Sequence, residues 1–366
     1  MSELRINNIT DRAGSNGPII AGVSTVSSTS HMVIPSGPTE MRNSPSEVDL
    51  SGNQKILSSG GRGRGITGGG VDAPNNNEIN IISMIEIATQ GNAVDFGDLT
   101  EARRDAGAVG SSVRGVFAAG GFPSQKTTID YVTFSSSGGA NDFGENRISL
   151  MQNSGVSDGV RGIFAGGVKT SPTVGNNTIE FITIATTGGS NSFGELSSGV
   201  RWGAAGVNSP TRAIFAVGAG TPAYLKAIEF VTIATLGDSQ DFGEVSTAVR
   251  NLIPACSSTR GVFAGAQTST SSPYSYKNTI EFLTIATLGN TSDFGDLVSA
   301  RSRGAGVSNS IRGCFIGGQT TSPTNDLKSI DVVTIATTGN ASDFGDISAL
   351  NESFQGASDS HGGLGD

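Results

Sequence analysis

Two residue patterns that could do chemistry recur along this 366-residue chain. An Asp-Phe-Gly triplet, or Ser-Phe-Gly once, places phenylalanine at Phe96, Phe143, Phe193, Phe242, Phe294 and Phe344. Such an aspartate holds magnesium in phosphoryl transfer only beside a Gly-rich loop, a Val-Ala-Ile-Lys strand and a His-Arg-Asp loop, and the sequence has none of them. The phenylalanine therefore reads as a packing residue between repeats, with Asp and Gly shaping its turn. Arginines at Arg64, Arg114, Arg161, Arg212, Arg260 and Arg312 form the second pattern. They could ring one face and bind an anion; the favoured expectation is that each pairs with a carboxylate or turn carbonyl of its own repeat. Glycine pairs such as Gly166-Gly167 and Gly317-Gly318 lack the Gly-Lys-Ser/Thr of a phosphate loop. The two histidines, His31 and His361, and the two cysteines, Cys256 and Cys314, have no metal-ligand spacing. His31 becomes a ligand candidate only if several copies of the chain meet on an axis. No triad or paired-acid site is apparent, although acids from different repeats could meet in space. The chain is expected to be a non-enzyme without cofactor or metal.

The elements that carry these residues also repeat. Successive Phe-Gly phenylalanines lie 47, 50, 49, 52 and 50 residues apart. Each unit has an Arg-Gly-x-Phe-x-Gly-Gly run, an Ile-Glu-Phe-x-Thr-Ile stretch rich in β-branched and aromatic residues, a Gly-Asn or Gly-Asp turn signal, and a Phe-Gly-Glu-Leu strand. A fourth candidate, Gly-Ala-Gly-Val, is clearest at Gly304–Val307 and Gly203–Val207, after Arg301 and Arg201. A period near fifty with four strand signals per unit predicts a β-propeller.

The order of these strands over residues 62–359 resembles the kelch repeat, with Phe where that family usually has Trp and without its regular Tyr. The resemblance implies strands a, b, c and d from the inside of each blade outward. The first unit then lacks strand a, because Arg64 opens strand b. Shifting the fifth unit by fifty residues lays Gly304–Ser308 on Phe354–Ser358, so the chain's end is expected to complete the first blade. The expected fold is all-β: a six-bladed kelch-like propeller over 62–366, closed by 354–358, with an extended N-terminal arm over 1–61. A seventh blade would require strands from that arm, whose apolar islands, Ile19–Val23 and Met32–Ile34, are too small for a core of their own.

Composition agrees with many short strands joined by turns: 53 glycines, 36% hydrophobic and 15% charged residues. A net charge of −9 argues against nucleic acid, which needs clustered Lys and Arg. No apolar run approaches the length of a membrane span, and the N-terminus has no apolar leader core. Cys256 and Cys314 read as small core residues.

What differs between repeats is the b–c connection, so recognition is sought there. Ala266–Thr279 carries Tyr274, Tyr276 and Lys277; Ala219–Ala227 carries Tyr224 and Lys226; Gly121–Thr128 begins beside Phe122. Aromatics among Ser, Thr and Asn suit adaptable polar recognition with apolar anchors. These six are the expected ligand-binding residues, and a glycan or host receptor is the expected ligand.

The N-terminal phrase running from Asp11-Arg-Ala-Gly through Ser30-His-Met-Val-Ile-Pro-Ser-Gly is similar to the start of virion structural proteins of tailed bacteriophages, marine cyanophages especially. That resemblance implies a tail, fibre or capsid-surface component, localised to the virion after assembly in the host cytoplasm. Residues 1–61 would dock to other virion proteins or join copies into a homo-oligomer. The alternative reading is a cellular kelch-like scaffold that binds a protein partner; a glycan-active enzyme is weakest.

Overall fold

The computed structural model describes residues 63–365 apart from 73–74, 171, 221–222 and 322–324. The chain divides at Gly60/Gly61, and the described residues belong to the unit Gly61–Asp366. The expectations for the arm, its apolar islands and His31 fall outside the described residues.

The unit is all-β and β-propeller-like. Among the described residues the fifty-residue period becomes six antiparallel four-stranded sheets. Sheet 3 is representative: Ser154–Ser157, Arg161–Ala165, Thr178–Thr183 and Asn191–Glu195 pair in that order. Sheet 1 is composite. Its innermost strand is Gln355–Ser358, paired to Arg64–Gly68, followed by Ile81–Glu86 and Val94–Asp98. The innermost strands of sheets 2, 4, 5 and 6 are Gly107–Gly110, Ala205–Asn208, Ile253–Cys256 and Ala305–Ser308.

The second strand of each sheet is buried on both faces because sheets stack on either side of it. In sheet 3, Ile163 packs with Phe215 and Ile233 of sheet 4, while the next residue, Phe164, packs with Val116 and Phe143 of sheet 2. The period-two alternation of side chains thus feeds two cores from one strand. Six such clusters lie between consecutive sheets among the described residues, including one that joins Phe344 of sheet 6 to Ile85 of sheet 1. Burying each large apolar side chain there is worth about 1.5–3 kcal/mol. Cys256 and Cys314 are buried in the innermost strand of sheet 5 and the second strand of sheet 6, and burial pushes the Cys314 thiol up to about 12.

The Phe-Gly phrase lies in the fourth strand, as the Phe-Gly-Glu-Leu reading expected, and its Asp and Gly belong to that strand rather than to a turn. Phe143 is buried, and its carbonyl accepts the N–H of Gly188 from the next sheet at 2.7 Å. A Cβ on Gly144 would stand 2.5 Å from the Gly188 oxygen, so only glycine admits that turn. The same bond runs from Gly138 to Phe96, Gly237 to Phe193, Gly289 to Phe242, Gly339 to Phe294 and Gly91 to Phe344.

The arginines require a second correction. They were expected to pair within their own repeat, and apart from a contact between Arg64 and Glu86 at 3.3 Å they reach forward instead. Arg114 donates to Ile184 O at 3.0 Å, Arg212 to Ile285 O at 2.8 Å and Arg260 to Ile335 O at 2.9 Å. Arg64 reaches Phe134 O, Arg161 reaches Ile233 O, and Arg312 of sheet 6 reaches Ile87 O of sheet 1 at 3.2 Å. Four of them also lie over an aromatic of their own third strand, as Arg212 does over Phe230 at 4.4 Å. A main-chain oxygen is the better partner here because the turn carbonyls at the end of a third strand have no ladder of their own.

A third set of links joins the residues just before the innermost strands. Asp105 donates its N–H to Ser353 O, Ser353 to Arg303 O, Arg303 to Asn251 O, Asn251 to Gly203 O, Gly203 to Gln152 O, and Gln152 back to Asp105 O, over 2.7–3.3 Å. All six have positive φ, from 55° to 65°. Five are not glycine, each at a cost of about 1–2 kcal/mol. The circuit of hydrogen bonds is what holds them there.

Two positions before that circuit the sequence alternates: Arg103, Leu150, Arg201, Val249, Arg301, Asn351. The three arginines are fully buried ion pairs, Arg103 with Asp130, Arg201 with Glu229 at 2.5 Å and Arg301 with Asp331 at 2.7 Å. Sheet 3 keeps the acid, Glu180, without the arginine. Its carboxyl accepts from Ser190 at 2.9 Å and lies 3.8 Å from Arg147, and burial raises its pKa.

Two outcomes are expected. Arg201→Leu strands a buried carboxylate and should cost about 3–5 kcal/mol in urea unfolding. Glu180 is harder to ionise folded than unfolded, so its ionisation erodes stability as pH rises above the ordinary carboxylate range. Glu180→Gln should gain on the parent between pH 5 and pH 8; a pH-independent difference would refute the raised carboxyl. Separately, Gly144→Ala should lower stability by about 2 kcal/mol or more, while Gly139→Ala, whose Cβ meets only Asp98 O at 3.6 Å, should change little. Thermal unfolding of the two variants side by side checks this.

Candidate functional site

The innermost strands surround a narrow channel with space of about 90 Å³, room for a few waters. Its two ends differ. At the end where strands such as Gly107–Gly110 finish, the C-terminal residues fill the opening. Gly362–Leu364 form one 3₁₀ turn. His361 caps it: its Nδ1 accepts the Gly363 N–H at 3.1 Å, and its Nε2 lies 2.9 Å from Gly110 O and 3.2 Å from Ser157 Oγ. One neutral tautomer, protonated at Nε2, serves the cap and the carbonyl together. A Cβ on Gly363 would meet Ser157 O at 1.8 Å, so this stopper admits no larger residue. Next to it, Asp359 accepts the N–H groups of Gly63 at 2.6 Å and Arg64 at 3.0 Å.

The other end is the mouth framed by the hydrogen-bond circuit, and here polar and aromatic groups converge. The second and third strands of sheet 5 run long, Arg260–Gln267 and Tyr276–Thr284, so much of the expected loop becomes ladder and Gln267 pairs with Tyr276. That extension brings Tyr276 to Gln319, in the short hairpin that follows the second strand of sheet 6, and the Gln319 Oε1 accepts the Tyr276 hydroxyl at 2.7 Å. Tyr224 donates to Ser269 O at 2.8 Å and accepts from Gln267 Nε2 at 3.2 Å. The Arg250 guanidinium lies 5.3 Å from the Tyr224 ring centre. Tyr274 is within electrostatic reach of Arg250, Arg303, Tyr224 and Tyr276.

Charge is dense and nearly balanced here. Burial raises the pKa of Tyr224 and pushes Tyr276 up to about 12. Burial and the neighbouring Arg303 cation both lower Arg250. For Arg303, burial opposes the charge, but the carboxylates of Asp105 and Glu352 prevail and raise it. Burial raises Glu352, while burial and the Glu352 carboxylate push Asp326 up to about 7. Among the described residues no three His, Cys, Asp or Glu side chains group as metal ligands.

Of the six residues singled out from sequence, the three tyrosines meet at this mouth. The others do not join them. Phe122 is 45% exposed in the connection after the second strand of sheet 2, under the Arg104 guanidinium at 4.4 Å. Lys277 donates to Thr247 Oγ1 at 2.9 Å, and Lys226 is exposed. The sequence reading missed Arg250, Arg303, Asp105, Glu352, Gln152 and Asn251. All sit at or just before the circuit, in the short d–a connections, where the aligned repeats also change residue type.

No protein-family model matches the sequence, and no curated protein matches it. A solved structure described as "Structure of YjhT" superposes with a TM-score of 0.59 at 13% identity, covering 76% of this chain and 96% of that one. The likeness is one of fold. It agrees with a β-propeller-like architecture built from four-stranded antiparallel sheets.

A pH-dependent outcome follows from Asp326. Its folded pKa stands above the ordinary carboxylate value, so its contribution favours folding at low pH and is lost between about 4 and about 7. Asp326→Asn should therefore be more stable than the parent at pH 8, on the order of 1 kcal/mol after discounting for solvent screening, and nearly equal to it at pH 4. Calorimetric melting at the two pH values decides; equal differences at both would refute the shifted carboxyl.

Proposed function

We propose that residues 62–366 form a six-bladed kelch-like propeller, closed where 354–358 join the first blade, and that it works as a non-enzymatic recognition module. The closing links support the ring: Gly91 to Phe344, Arg312 to Ile87, and the circuit that returns from Gln152 to Asp105. The observation that carries the functional reading is the convergence of Tyr224, Tyr274 and Tyr276 with Arg250 and Arg303 on one mouth. Half-buried tyrosines present large, stiff, amphipathic surfaces at low entropic cost. Mixed charge beside them supplies orientation.

The setting we propose is a tailed-phage particle, on the strength of the N-terminal phrase. Residues 1–61 would dock to other virion proteins or join copies of the chain. Gly63, where the described chain begins, bonds Asp359 beside the C-terminal stopper, at the channel end opposite the mouth. The mouth would meet a host glycan or receptor. A cellular scaffold would use the same mouth for a protein partner.

Particles carrying Tyr274→Ala with Tyr276→Ala should adsorb to host cells at least tenfold more slowly while keeping full incorporation and a cooperative melt, lowered only by the loss of the Tyr276–Gln319 hydrogen bond. Unchanged adsorption would count decisively against this mouth. Failure of the unaltered protein to incorporate into particles would favour the cellular reading.

A further inference from the structure

The hydrogen-bonding inventory of the mouth narrows its ligand. Six half-buried or buried side chains there each keep a buried atom that makes no hydrogen bond among the described residues. Three are donors: Nε of Arg250, Nε of Arg303 and Nδ2 of Asn251. Three are acceptors: Oε1 of Gln152, Oδ1 of Asn153 and Oε2 of Glu352. Gln152, Asn153, Asn251 and Glu352 are each at most 9% exposed. Gln152, Asn153, Asn251 and Arg303 line the same channel. The backbone circuit ties Gln152, Asn251 and Arg303 in sequence through Gly203, and Glu352 acts electrostatically on Arg303.

An unsatisfied buried donor or acceptor costs about 1–3 kcal/mol, so the chemistry of the missing partner matters. A phosphate, sulfate or carboxylate offers acceptors alone. It would satisfy the arginines and leave Gln152, Asn153 and Glu352 unpaired. The cations are in any case already faced by acids, with Asp105 and Glu352 acting on Arg303. A hydroxyl is donor and acceptor at once. Neighbouring hydroxyls on one ring can answer both halves of the set, and the tyrosines beside the mouth give the ring's C–H face a surface to lie on. Depth sets the size of what binds. With water-sized space below and the stopper beyond, a ligand meets the mouth by one end and cannot thread through it.

We infer that the mouth is a binding site for an uncharged, hydroxyl-rich sugar unit at the end or branch point of a glycan, held by Gln152, Asn251, Arg303 and Glu352 with tyrosine beside it. The inference rests on the recognition role proposed above and assigns that role its ligand chemistry. It moves the selective contacts from the variable loops to the start of the innermost strands.

The test uses the full chain on immobilised oligosaccharides ending in neutral hexose or N-acetylhexosamine, with matched sialylated and sulfated forms. Neutral ends should bind at least tenfold better than their anionic counterparts. Gln152→Leu and Asn251→Leu, which keep volume and remove the amide, should each weaken binding about tenfold. Saturation-transfer NMR of the unaltered protein with neutral and anionic methyl glycosides repeats the comparison without any variant, in case the substitutions unfold the chain. Preference for anionic ends, binding unmoved by both substitutions, or no binding to any of these sugars would overturn the inference. Intact neutral-sugar binding, with particle adsorption that does not need this protein, would instead overturn the attachment role and leave the sugar site standing.

Discussion

The rest of this structure depends on main-chain N–H to O=C bonds made between sheets rather than within them. Each sheet satisfies its own ladder, yet every sheet leaves one carbonyl in its fourth strand and one before its innermost strand for its neighbour to use. The side chains follow from this. Gly144 and its counterparts lack a Cβ because a neighbouring oxygen occupies that space. The arginines at the head of each second strand reach forward because the carbonyls at the end of the next third strand have no other donor. The backbone before each innermost strand accepts positive φ, even at Arg303 and Asp105, because that conformation turns its N–H toward the preceding sheet.

The functional consequence lies in those same strained residues. Their backbones are fixed by the circuit, so their residue types can differ from repeat to repeat. Asp105, Gln152, Gly203, Asn251, Arg303 and Ser353 share one conformation while ranging over acid, amide, glycine, cation and hydroxyl. The mouth is thus a set of variable side chains on an invariant frame. The alternation of Arg103, Arg201 and Arg301 with Leu150, Val249 and Asn351 shows the same separation one layer deeper, where ion-paired and unpaired sheets use one backbone geometry.

The sequence made the fold largely legible and the site only in part. Repetition exposed the strands, because β-branched runs, Phe-Gly phrases and turn glycines reappear at a constant spacing. It placed Phe354–Ser358 over the start of an innermost strand, where Gln355–Ser358 is found against Arg64–Gly68. The partner of each repeated arginine was not legible, because it stands about seventy residues ahead and only the stacking of sheets brings it near. Tyr224, Tyr274 and Tyr276 were legible because aromatics stand out in Ser/Thr-rich loops. Gln152, Asn251 and Glu352 were not, since single polar residues in short connections read as surface. His361 read as a stray ligand type and serves as the cap of the stopper.

The junction of Gly63 and Arg64 with Asp359 has a mechanical meaning. A pull applied at Gly63 would enter at Arg64–Gly68, which lies in the interior of its sheet with Gln355–Ser358 on one side and Ile81–Glu86 on the other. Tension along such a strand shears two ladders at once instead of peeling one edge bond by bond. The same load passes across the Asp359 carboxylate to the last strand of the chain. A load applied there therefore strains the first and the last strand of the ladder together, because one carboxylate couples them.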